Sequence, residues 1–485
     1  MEHSGSLVNL LWAFAFIATG GLLFGYIIGI NSNVLTPGQL LCPDGYTGTV
    51  GTWGSWGYGQ CYHLTPGAQG VLSSLNLIGA CASSLLCFRY ADSMGRKLEV
   101  QMAGLLYMLG AVVAALLPVL WGTFLGFLIY GFGVGFAMHA APVYIAEISP
   151  AAVRGRLVSA KEAVIVLGIF LGFLSGYAFS GVAFQGWRLM VACSGVLGLA
   201  MVMGIAGVPQ SPRFLLLQGA RRPAAAQALR EEARRALRFF RRAGAGEVEE
   251  ELQGLEKDLR AALQEDTESQ SLLGPRARRP GALEAFRYEK PMVVGCGLVL
   301  LQQVTGQTSV LYFANQFLRA AGFGNSAAMQ SVWIGLVKLV ATLFAVWQVD
   351  SYGRRKLLFV GISMMAAALV LLTLSSCLPP ALTVVALMQY VSGYQVGFGP
   401  IAWLMISEVF PLKVRGSALS VAVVINFGSN IAMTVATPVL LASLKPAGLY
   451  AIFLVLTFAS LVFVHAYVPE TKGKSLEEIE EMMTS

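Results

Sequence analysis

The sequence predicts an all-α membrane protein built from two related six-helix halves. Three observations lead to this prediction: the composition is strongly apolar, long apolar runs recur along the whole chain, and one charged motif occurs twice. Hydrophobic residues make up 56% of the 485 residues and charged residues only 12%, with a mean hydropathy of +0.66. A soluble protein of this length carries about 25% charged residues. The chain is therefore expected to reside in a bilayer.

The apolar runs set the number of helices. A run of about 20 residues can cross a hydrocarbon core about 30 Å thick. Such runs begin near positions 8, 67, 98, 122, 157 and 187, and again near 291, 327, 356, 380, 417 and 447. We therefore expect twelve transmembrane helices, six in residues 1–208 and six in residues 291–468.

The repeated motif relates the two halves. Both copies lie between apolar runs and place an acid, a Gly-Arg pair, a later Glu and a later Arg in the same order. The first copy is Asp92, Gly95-Arg96, Glu147 and Arg154, and the second is Asp350, Gly353-Arg354-Arg355, Glu408 and Arg415. A duplicated helical bundle is the simplest origin of this pattern.

Lys and Arg residues predict the orientation, because cytoplasmic loops carry the positive excess. Both copies of the motif, the central loop and the C-terminal segment are basic, whereas the loop from Ser32 to Pro66 has no Lys or Arg. Both termini are therefore expected in the cytoplasm. The net charge of +7 reflects this bias, so it gives no support for a nucleic-acid partner.

Residues 209–290 form the one segment that looks soluble, with about half of all the charges in the chain. Apolar residues recur in it at helical spacing, opposite Arg-rich and Glu-rich faces. We expect short amphipathic helices beneath the bundle, and a short cytoplasmic tail over residues 469–485.

Two cysteines lie in the predicted outer loop. Cys42 and Cys61 could form a disulfide that faces an oxidising compartment, or remain two free surface thiols. The other cysteines are scattered singly in or beside apolar runs, and no metal-ligand spacing is present. Neither a metal nor another cofactor is predicted.

The repeated motif is expected to act as a gate. Its glycine allows a tight turn, and its basic residues can reach a carboxylate such as Glu147 or Glu408. Partly buried ion pairs add little net stability but can discriminate between two arrangements. Simple anchoring by positive charge would explain the arginines, but not the acids at matched positions.

Further motifs identify a family. They are Gly20-Gly21-Leu22-Leu23-Phe24-Gly25-Tyr26, Pro142-Val143-Tyr144-Ile145-Ala146-Glu147, Pro209-Gln210-Ser211-Pro212-Arg213-Phe214, Gln302-Gln303-Val304-Thr305-Gly306, Gly399-Pro400-Ile401-Ala402-Trp403 and Pro469-Glu470-Thr471-Lys472-Gly473. In these segments the chain resembles the sugar porter family of the major facilitator superfamily. Within it, the chain looks most similar to plant and algal xylose-proton symporter-like carriers and to class III animal glucose facilitators. The resemblance implies a site at mid-membrane between two six-helix halves.

The resemblance also implies a site for a monosaccharide. A sugar offers many hydroxyls and no charge, so amides and an aromatic face suit it. Two adjacent glutamines inside an apolar run are too costly to face lipid. The candidate binding residues are Gln302, Gln303, Thr308, Tyr312, Gln395, Trp403, Asn426 and Asn430, together with the charged Glu162 and Lys338.

Four of these positions depart from the usual family pattern. Thr308 stands where many members have Asn, Gln395 where animal facilitators have Glu, Glu162 where many have Gln, and Lys338 where many have Asn. An isolated charge at mid-membrane costs about 3 kcal/mol. Our hypothesis is that Glu162 and Lys338 approach one another across the pocket, directly or through the substrate. The alternative is that Lys338 snorkels and Glu162 lies near the cytoplasmic mouth.

The coupling mode is predicted from two missing charges. Proton-linked relatives carry an Asp on helix one and an Arg on helix four, where this chain has Ile27 and Phe127. Replacing both members of a buried pair by apolar groups can be neutral, whereas replacing one strands a charge. Facilitated diffusion is therefore favoured, with proton symport through Glu162 or His139 as the alternative.

Two other functional classes fit less well. A non-transporting sugar sensor would need a long cytoplasmic tail, and an enzyme would need a nucleophile with its base or a phosphate loop, none of which is evident. We expect a monomeric carrier of a hexose or pentose in the plasma membrane or in an endosomal or vacuolar membrane.

Overall fold

The computed structural model describes residues 3–241, 245–273, 286, 288–410, 414–474 and 476–484. The N-terminal half consists of six long helices joined by short turns and one longer loop. They are α1 (His3–Val34), α2 (Pro66–Met94), α3 (Arg96–Leu116), α4 (Leu120–Ile148), α5 (Ala151–Phe179) and α6 (Gly186–Ala206).

Three helices of the central segment follow, and then the C-terminal half. The central helices are α7 (Pro212–Arg221), α8 (Ala226–Arg241) and α9 (Ala245–Leu273), with a 3₁₀ turn at Pro223–Ala225. The later helices are α10 (Glu289–Val304), α11 (Gln307–Tyr312), α12 (Ala314–Leu318), α13 (Ala327–Tyr352), α14 (Arg354–Thr373), α15 (Pro380–Val396), α16 (Phe398–Val409), α17 (Arg415–Tyr467) and α18 (Leu476–Thr484). A π-helical turn at Arg319–Phe323 and 3₁₀ turns at Gly324–Ser326 and Ser375–Cys377 join them.

Within the described ranges, nine helices are long and apolar enough to cross a membrane. The number is smaller than twelve for local reasons. Two expected spans are broken into shorter helices, one as α10 to α12 and one as α15 with α16. Two others run together in α17, although Lys445 has a non-helical φ of 58° there. Pro446 follows that residue, and a residue before proline is disfavoured in helical geometry. The count of twelve and the cytoplasmic termini stay predictions.

Small residues let the helices pack closely. Gly25 of α1 lies against α5, where an added Cβ would stand 1.8 Å from the carbonyl oxygen of Ile165. Gly110 of α3 lies against α4, where a Cβ would stand 2.5 Å from the backbone nitrogen of Tyr130. Close backbone approach of this kind replaces the hydrophobic effect as a source of association in a bilayer.

The central helices are fastened to the N-terminal half. Arg241 donates a 2.6 Å hydrogen bond from Nη1 to the carbonyl oxygen of Ile148, at the end of α4. Asn9 donates from Nδ2 to the carbonyl oxygen of Phe239 at 3.0 Å. Arg230 of α8 pairs with Glu249 and Glu256 of α9. These contacts make α8 and α9 part of the N-terminal unit.

The loop between α1 and α2 has its own short structure. Strands β1 (Val50–Gly51) and β2 (Cys61–Tyr62) pair in parallel. Cys42 and Cys61 form a disulfide across this loop, with Cα atoms 4.9 Å apart. Of the two readings the sequence leaves open, the structure therefore contains the bonded one.

Candidate functional site

A break in the predicted seventh span positions its polar side chains. α10 ends at Val304, and Gly306 adopts a left-handed φ of 88° before α11 begins. An added Cβ on Gly306 would stand 2.4 Å from the ring of Phe453, so both conformation and space favour glycine. The hydroxyl of Tyr390 on α15 donates to the carbonyl oxygen of Thr305 at 2.6 Å. The break therefore has its own polar support within the membrane.

The predicted amides gather at this break. Gln302 donates from Nε2 to the carbonyl oxygen of Phe398 at 3.0 Å and accepts at Oε1 from Asn426 at 3.3 Å. Thr308 donates to Oε1 of Gln303 at 3.0 Å. Helices α10, α16 and α17 thus meet through amide groups. Such groups present both donors and acceptors, as hydroxyl recognition requires.

The remaining pocket candidates on the C-terminal half surround this cluster less directly. Asn430, one turn beyond Asn426, accepts from Thr434 at 3.3 Å. Trp403 is partly buried and packs against a small apolar cluster that includes Met292 and Phe410. A structural role for Trp403 is therefore visible in addition to its predicted contact with a sugar ring.

Lys338 lies inside the C-terminal half with polar partners. Its side chain is buried, and Nζ donates to Oε1 of Gln395 at 2.6 Å. Gln395 donates in turn from Nε2 to the hydroxyl of Thr342 at 2.8 Å. The ammonium also lies 5.3 Å from the ring centre of Tyr394, within the range of a cation–π contact. Lys338 is therefore held in the interior and does not extend to the membrane surface.

Glu162 stands on the opposite side of the pathway, on α5. Its Oε1 lies 3.2 Å from Nζ of Lys161, and 38% of its side chain is exposed. The carboxylate lies within electrostatic reach of Lys338 in the C-terminal half. Each of the two residues bonds to a neighbour in its own half, and their approach across the pocket stays a prediction.

Ile27 and Phe127 are both fully buried, which leaves the position of the missing charge pair apolar. His139 has a partner that the sequence reasoning missed. Its Nδ1 lies 3.1 Å from Oε2 of Glu99, a residue with no exposed surface. The feature of the sequence that could have indicated this pair is the single acid, Glu99, within the apolar run of α3.

A second group, of which the sequence analysis named only Tyr312 and as a binding residue, joins the two halves at the end opposite the basic motifs. Asn76 donates to the hydroxyl of Tyr312 at 2.8 Å. Asn315 donates from Nδ2 to Asn33 at 2.6 Å, and Gln316 donates to Gln69 at 3.1 Å. We call these six residues the closure cluster. Asn and Gln within apolar runs were its signal in the sequence.

Helix packing agrees with closure at this end. An added Cβ on Gly70 would stand 2.5 Å from the carbonyl oxygen of Val435, and one on Gly335 would stand 2.9 Å from the ring of Phe173. These contacts bring α2 against α17 and α5 against α13. All of these residues lie in the parts of their helices farthest from the basic motifs. The described contacts between the halves at this end make the structure inward-facing under the predicted orientation.

The predicted gate residues form an ion pair in each half. Arg96 lies 3.5 Å from Glu147, and Arg354 lies 3.1 Å from Glu408. Arg355 donates to the carbonyl oxygen of His465 at 2.7 Å. Both ion pairs join helices of a single half. Arg154 is exposed, and the side chains of Asp92, Asp350 and Arg415 lie outside the described residues.

Another repeated segment, in addition to the charged motif, supports each gate. Val208-Pro209-Gln210-Ser211 and Val468-Pro469-Glu470-Thr471 occupy matching places after the sixth and last helices. Gln210 accepts from the backbone nitrogen of Lys97 at 3.0 Å. Glu470 accepts from the backbone nitrogens of Arg354 at 3.0 Å and Arg355 at 3.2 Å. Both side chains therefore accept from backbone N–H groups in the first turn of a helix that carries a gate arginine, α3 or α14.

Fold and site together define a membrane carrier of the major facilitator fold, with two helical halves around a central amide-lined site. The family model described as "Sugar (and other) transporter" matches residues 13–483. The chain belongs to this family, and it is an integral, multi-pass sugar transporter that works by alternating access.

Known relatives and a solved structure agree with this assignment. The chain is 41% identical to "D-xylose-proton symporter-like 2" of Arabidopsis thaliana over 98% of its length and 91% of that protein. It is 40% identical to "D-xylose-proton symporter-like 3, chloroplastic" of the same plant, over 99% of this chain and 83% of that one. The inward-open xylose transporter XylE from E. coli is 25% identical, with a TM-score of 0.77 over 98% of this chain and 99% of that chain.

Proposed function

We propose that the chain carries an uncharged monosaccharide, a hexose or a pentose, through the amide cluster at the break between α10 and α11. The hydrogen-bonded set of Gln302, Gln303, Thr308 and Asn426 is the observation that carries this proposal. Its amides supply donors and acceptors but no net charge, which suits a neutral polyol ring. The relatives named for D-xylose support a pentose as one member of the set.

The gates are proposed to alternate. The closure cluster holds the halves together at one end in this structure, while the Arg96–Glu147 and Arg354–Glu408 pairs remain within their halves. When the opposite end closes, arginines of one half can reach carboxylates of the other. Exchange of ion-pair partners then gives two states of similar stability, as a carrier requires.

The charges of Glu162 and Lys338 are proposed to border the sugar from opposite halves. In this structure Glu162 pairs with Lys161, and Lys338 bonds to Gln395. A sugar hydroxyl between them could accept from the ammonium and donate to the carboxylate. Glu162→Gln is expected to change the apparent KM for sugar, and identical uptake kinetics would argue against this placement.

We propose that no proton is coupled to sugar transport at the position of Ile27 and Phe127, since neither side chain can hold a proton. Facilitated diffusion remains the prediction for that site. Proton symport through another group is the second candidate, favoured by the bonded Glu99–His139 pair and by the symporter names of the relatives.

The test of the proposed substrate uses purified protein in liposomes. Counterflow of labelled D-glucose, D-xylose and a polyol is measured against empty liposomes, with Gln302→Ala as the binding variant. We expect saturable counterflow of at least one monosaccharide, and half-saturation at a higher sugar concentration in the variant. Absence of counterflow with every sugar would contradict the proposal.

Three further features are proposed with it. The functional halves are residues 1–208 and 291–468, with 209–290 as linker and 469–485 as tail. The protein acts as a monomer. Its membrane is the plasma membrane or an endosomal or vacuolar membrane.

A further inference from the structure

Glu99 presents a buried carboxylate that the packing of the fold does not fully use. Its side chain has no exposed surface, and Oε2 lies 3.1 Å from Nδ1 of His139. Among the described residues, Oε1 has no hydrogen-bond partner. A buried polar atom without a partner costs about 1–3 kcal/mol, and more when charged. A fold that only needed packing here would do better with an apolar residue.

We propose that Glu99 and His139 form a proton-binding site that couples proton movement to sugar transport. The inference rests on the proposed sugar transport and deepens its second candidate, proton symport, in place of facilitated diffusion. The chemistry involves no other reactant: the pair gains one proton from solvent in one state of the carrier and releases one in the other.

The pair combines a hidden acid with an accessible base. His139 keeps 21% of its side chain exposed, whereas Glu99 has none. A proton can therefore enter or leave through the imidazole and be shared with the carboxylate. With one proton the pair is neutral overall, and without it a negative charge remains buried. Proton occupancy thus changes the net charge inside the N-terminal half.

That charge lies beside the gate. Arg96 precedes Glu99 by one helical turn on α3, a spacing that puts side chains about 5–6 Å apart at Cβ. The same Arg96 lies 3.5 Å from Glu147, which follows His139 on α4. When Glu99 is ionised, two carboxylates attract Arg96. When Glu99 is protonated, Glu147 attracts it alone, so proton binding alters the balance of a gate ion pair.

The other charged groups on the helices that surround the pair have partners of their own. Lys97 on α3 donates to Ala206, Lys161 and Glu162 on α5 bond to each other, and Arg188 on α6 donates to Ala115 and Leu117. Further titratable groups on the surrounding helices include the thiol of Cys87 on α2, which lies within electrostatic reach of Glu99, and the hydroxyls of Tyr26, Tyr107, Tyr130 and Tyr144, which donate to backbone carbonyls. Arg96 and Glu147 are therefore the charges that proton binding affects most directly.

The experiment measures proton-driven accumulation in liposomes that contain the full-length protein. With the outside one pH unit more acidic, one proton per sugar can drive about tenfold accumulation of labelled D-glucose or D-xylose. We expect the wild type to accumulate sugar above equilibrium. Glu99→Gln is expected to hold the accumulation ratio at one, while counterflow at equal pH remains measurable. His139→Gln is expected to shift the pH dependence of accumulation.

Two comparisons make the result specific. Gln101→Ala, on the same helix, serves as the matched control and should accumulate sugar like the wild type. Glu162→Gln should still accumulate sugar when its accumulation is divided by the counterflow measured for the same variant. If accumulation is lost in Glu162→Gln but retained in Glu99→Gln, the proton is assigned to Glu162 and the proposal is overturned. Counterflow without accumulation in the wild type would overturn the proton site alone, and no counterflow at all would overturn the sugar function as well.

Discussion

Lys338 donates a 2.6 Å hydrogen bond from Nζ to Oε1 of Gln395, and the two side chains share a buried site between α13 and α15. Both positions depart from the usual pattern of the family that the chain resembles. The amide accepts a hydrogen bond from the Lys338 nitrogen and carries no charge of its own, so it is not a counter-ion for Lys338. Gln395 then fixes its own orientation by donating to Thr342.

The pair is expected to behave as one unit. Gln395→Leu should destabilise the protein by about 1.5–3 kcal/mol, because it leaves a buried ammonium without its acceptor. Adding Lys338→Met to that variant should recover most of the loss, since no charge then remains to be solvated. The measurement is the midpoint of heat-induced unfolding in detergent for both single variants and the double variant.

Thr342→Val is the matched control for this cycle. It removes two neutral hydrogen bonds, one accepted from Gln395 and one donated to the carbonyl oxygen of Lys338, and should cost about 1–2 kcal/mol. If the double variant unfolds at no higher temperature than Gln395→Leu, the two side chains are independent and the interpretation of a coupled unit is wrong.

The amide cluster leads to a prediction about affinity. Gln302→Ala should raise the KM for sugar uptake about tenfold or more, because each lost hydrogen bond to a neutral group contributes about 1 kcal/mol and the site loses several. Gln389→Ala on α15 is the control, since its amide donates weakly to Met364 at 3.4 Å, away from the cluster. A KM that rises equally in both variants would place substrate binding elsewhere.

The sequence predicted the elements that depend on local pattern. Apolar runs located most helices, and the repeated motif located the Arg96–Glu147 and Arg354–Glu408 pairs. Family resemblance located Gln302 beside Asn426. These features follow from composition, from residue spacing and from family resemblance, so a single sequence was enough to predict them.

Other features depend on contacts between distant segments. The bond between Asn315 and Asn33 joins residues of different halves, and that between Glu99 and His139 joins neighbouring helices. Lone polar residues in apolar runs marked these positions, but nothing in the sequence paired them. The bond of Lys338 to Gln395 likewise joins residues 57 positions apart on neighbouring helices, and no spacing in the sequence pairs them.

The closure cluster leads to a conformational prediction. Tyr312→Phe removes the hydroxyl that accepts from Asn76 across the halves. Loss of about 1 kcal/mol from the closed arrangement should shift the equilibrium about fivefold toward opening at that end. Spin labels at the exposed positions His63 and Asn325 can report the distance between the halves.

Tyr390→Phe is the control for this shift, because its hydroxyl donates to Thr305 within the C-terminal half. Its distance distribution should match the parent protein. A longer distance in both variants, or in neither, would show that the bond to Asn76 does not hold the halves together.

The matched supports of the two gates differ in charge, and that difference predicts unequal effects. Glu470 accepts two backbone N–H groups at the start of α14, whereas the neutral Gln210 accepts one at the start of α3. A carboxylate is favoured at a helix N-terminus over an amide by about 0.3–1 kcal/mol. Glu470→Gln should therefore lower the unfolding midpoint, and Gln210→Glu should raise it. Glu470→Ala should cost more, about 1–2 kcal/mol, because it leaves both N–H groups without their acceptor. A lower midpoint for Gln210→Glu would instead mean that the two supports are not equivalent, despite their matching places in the repeat.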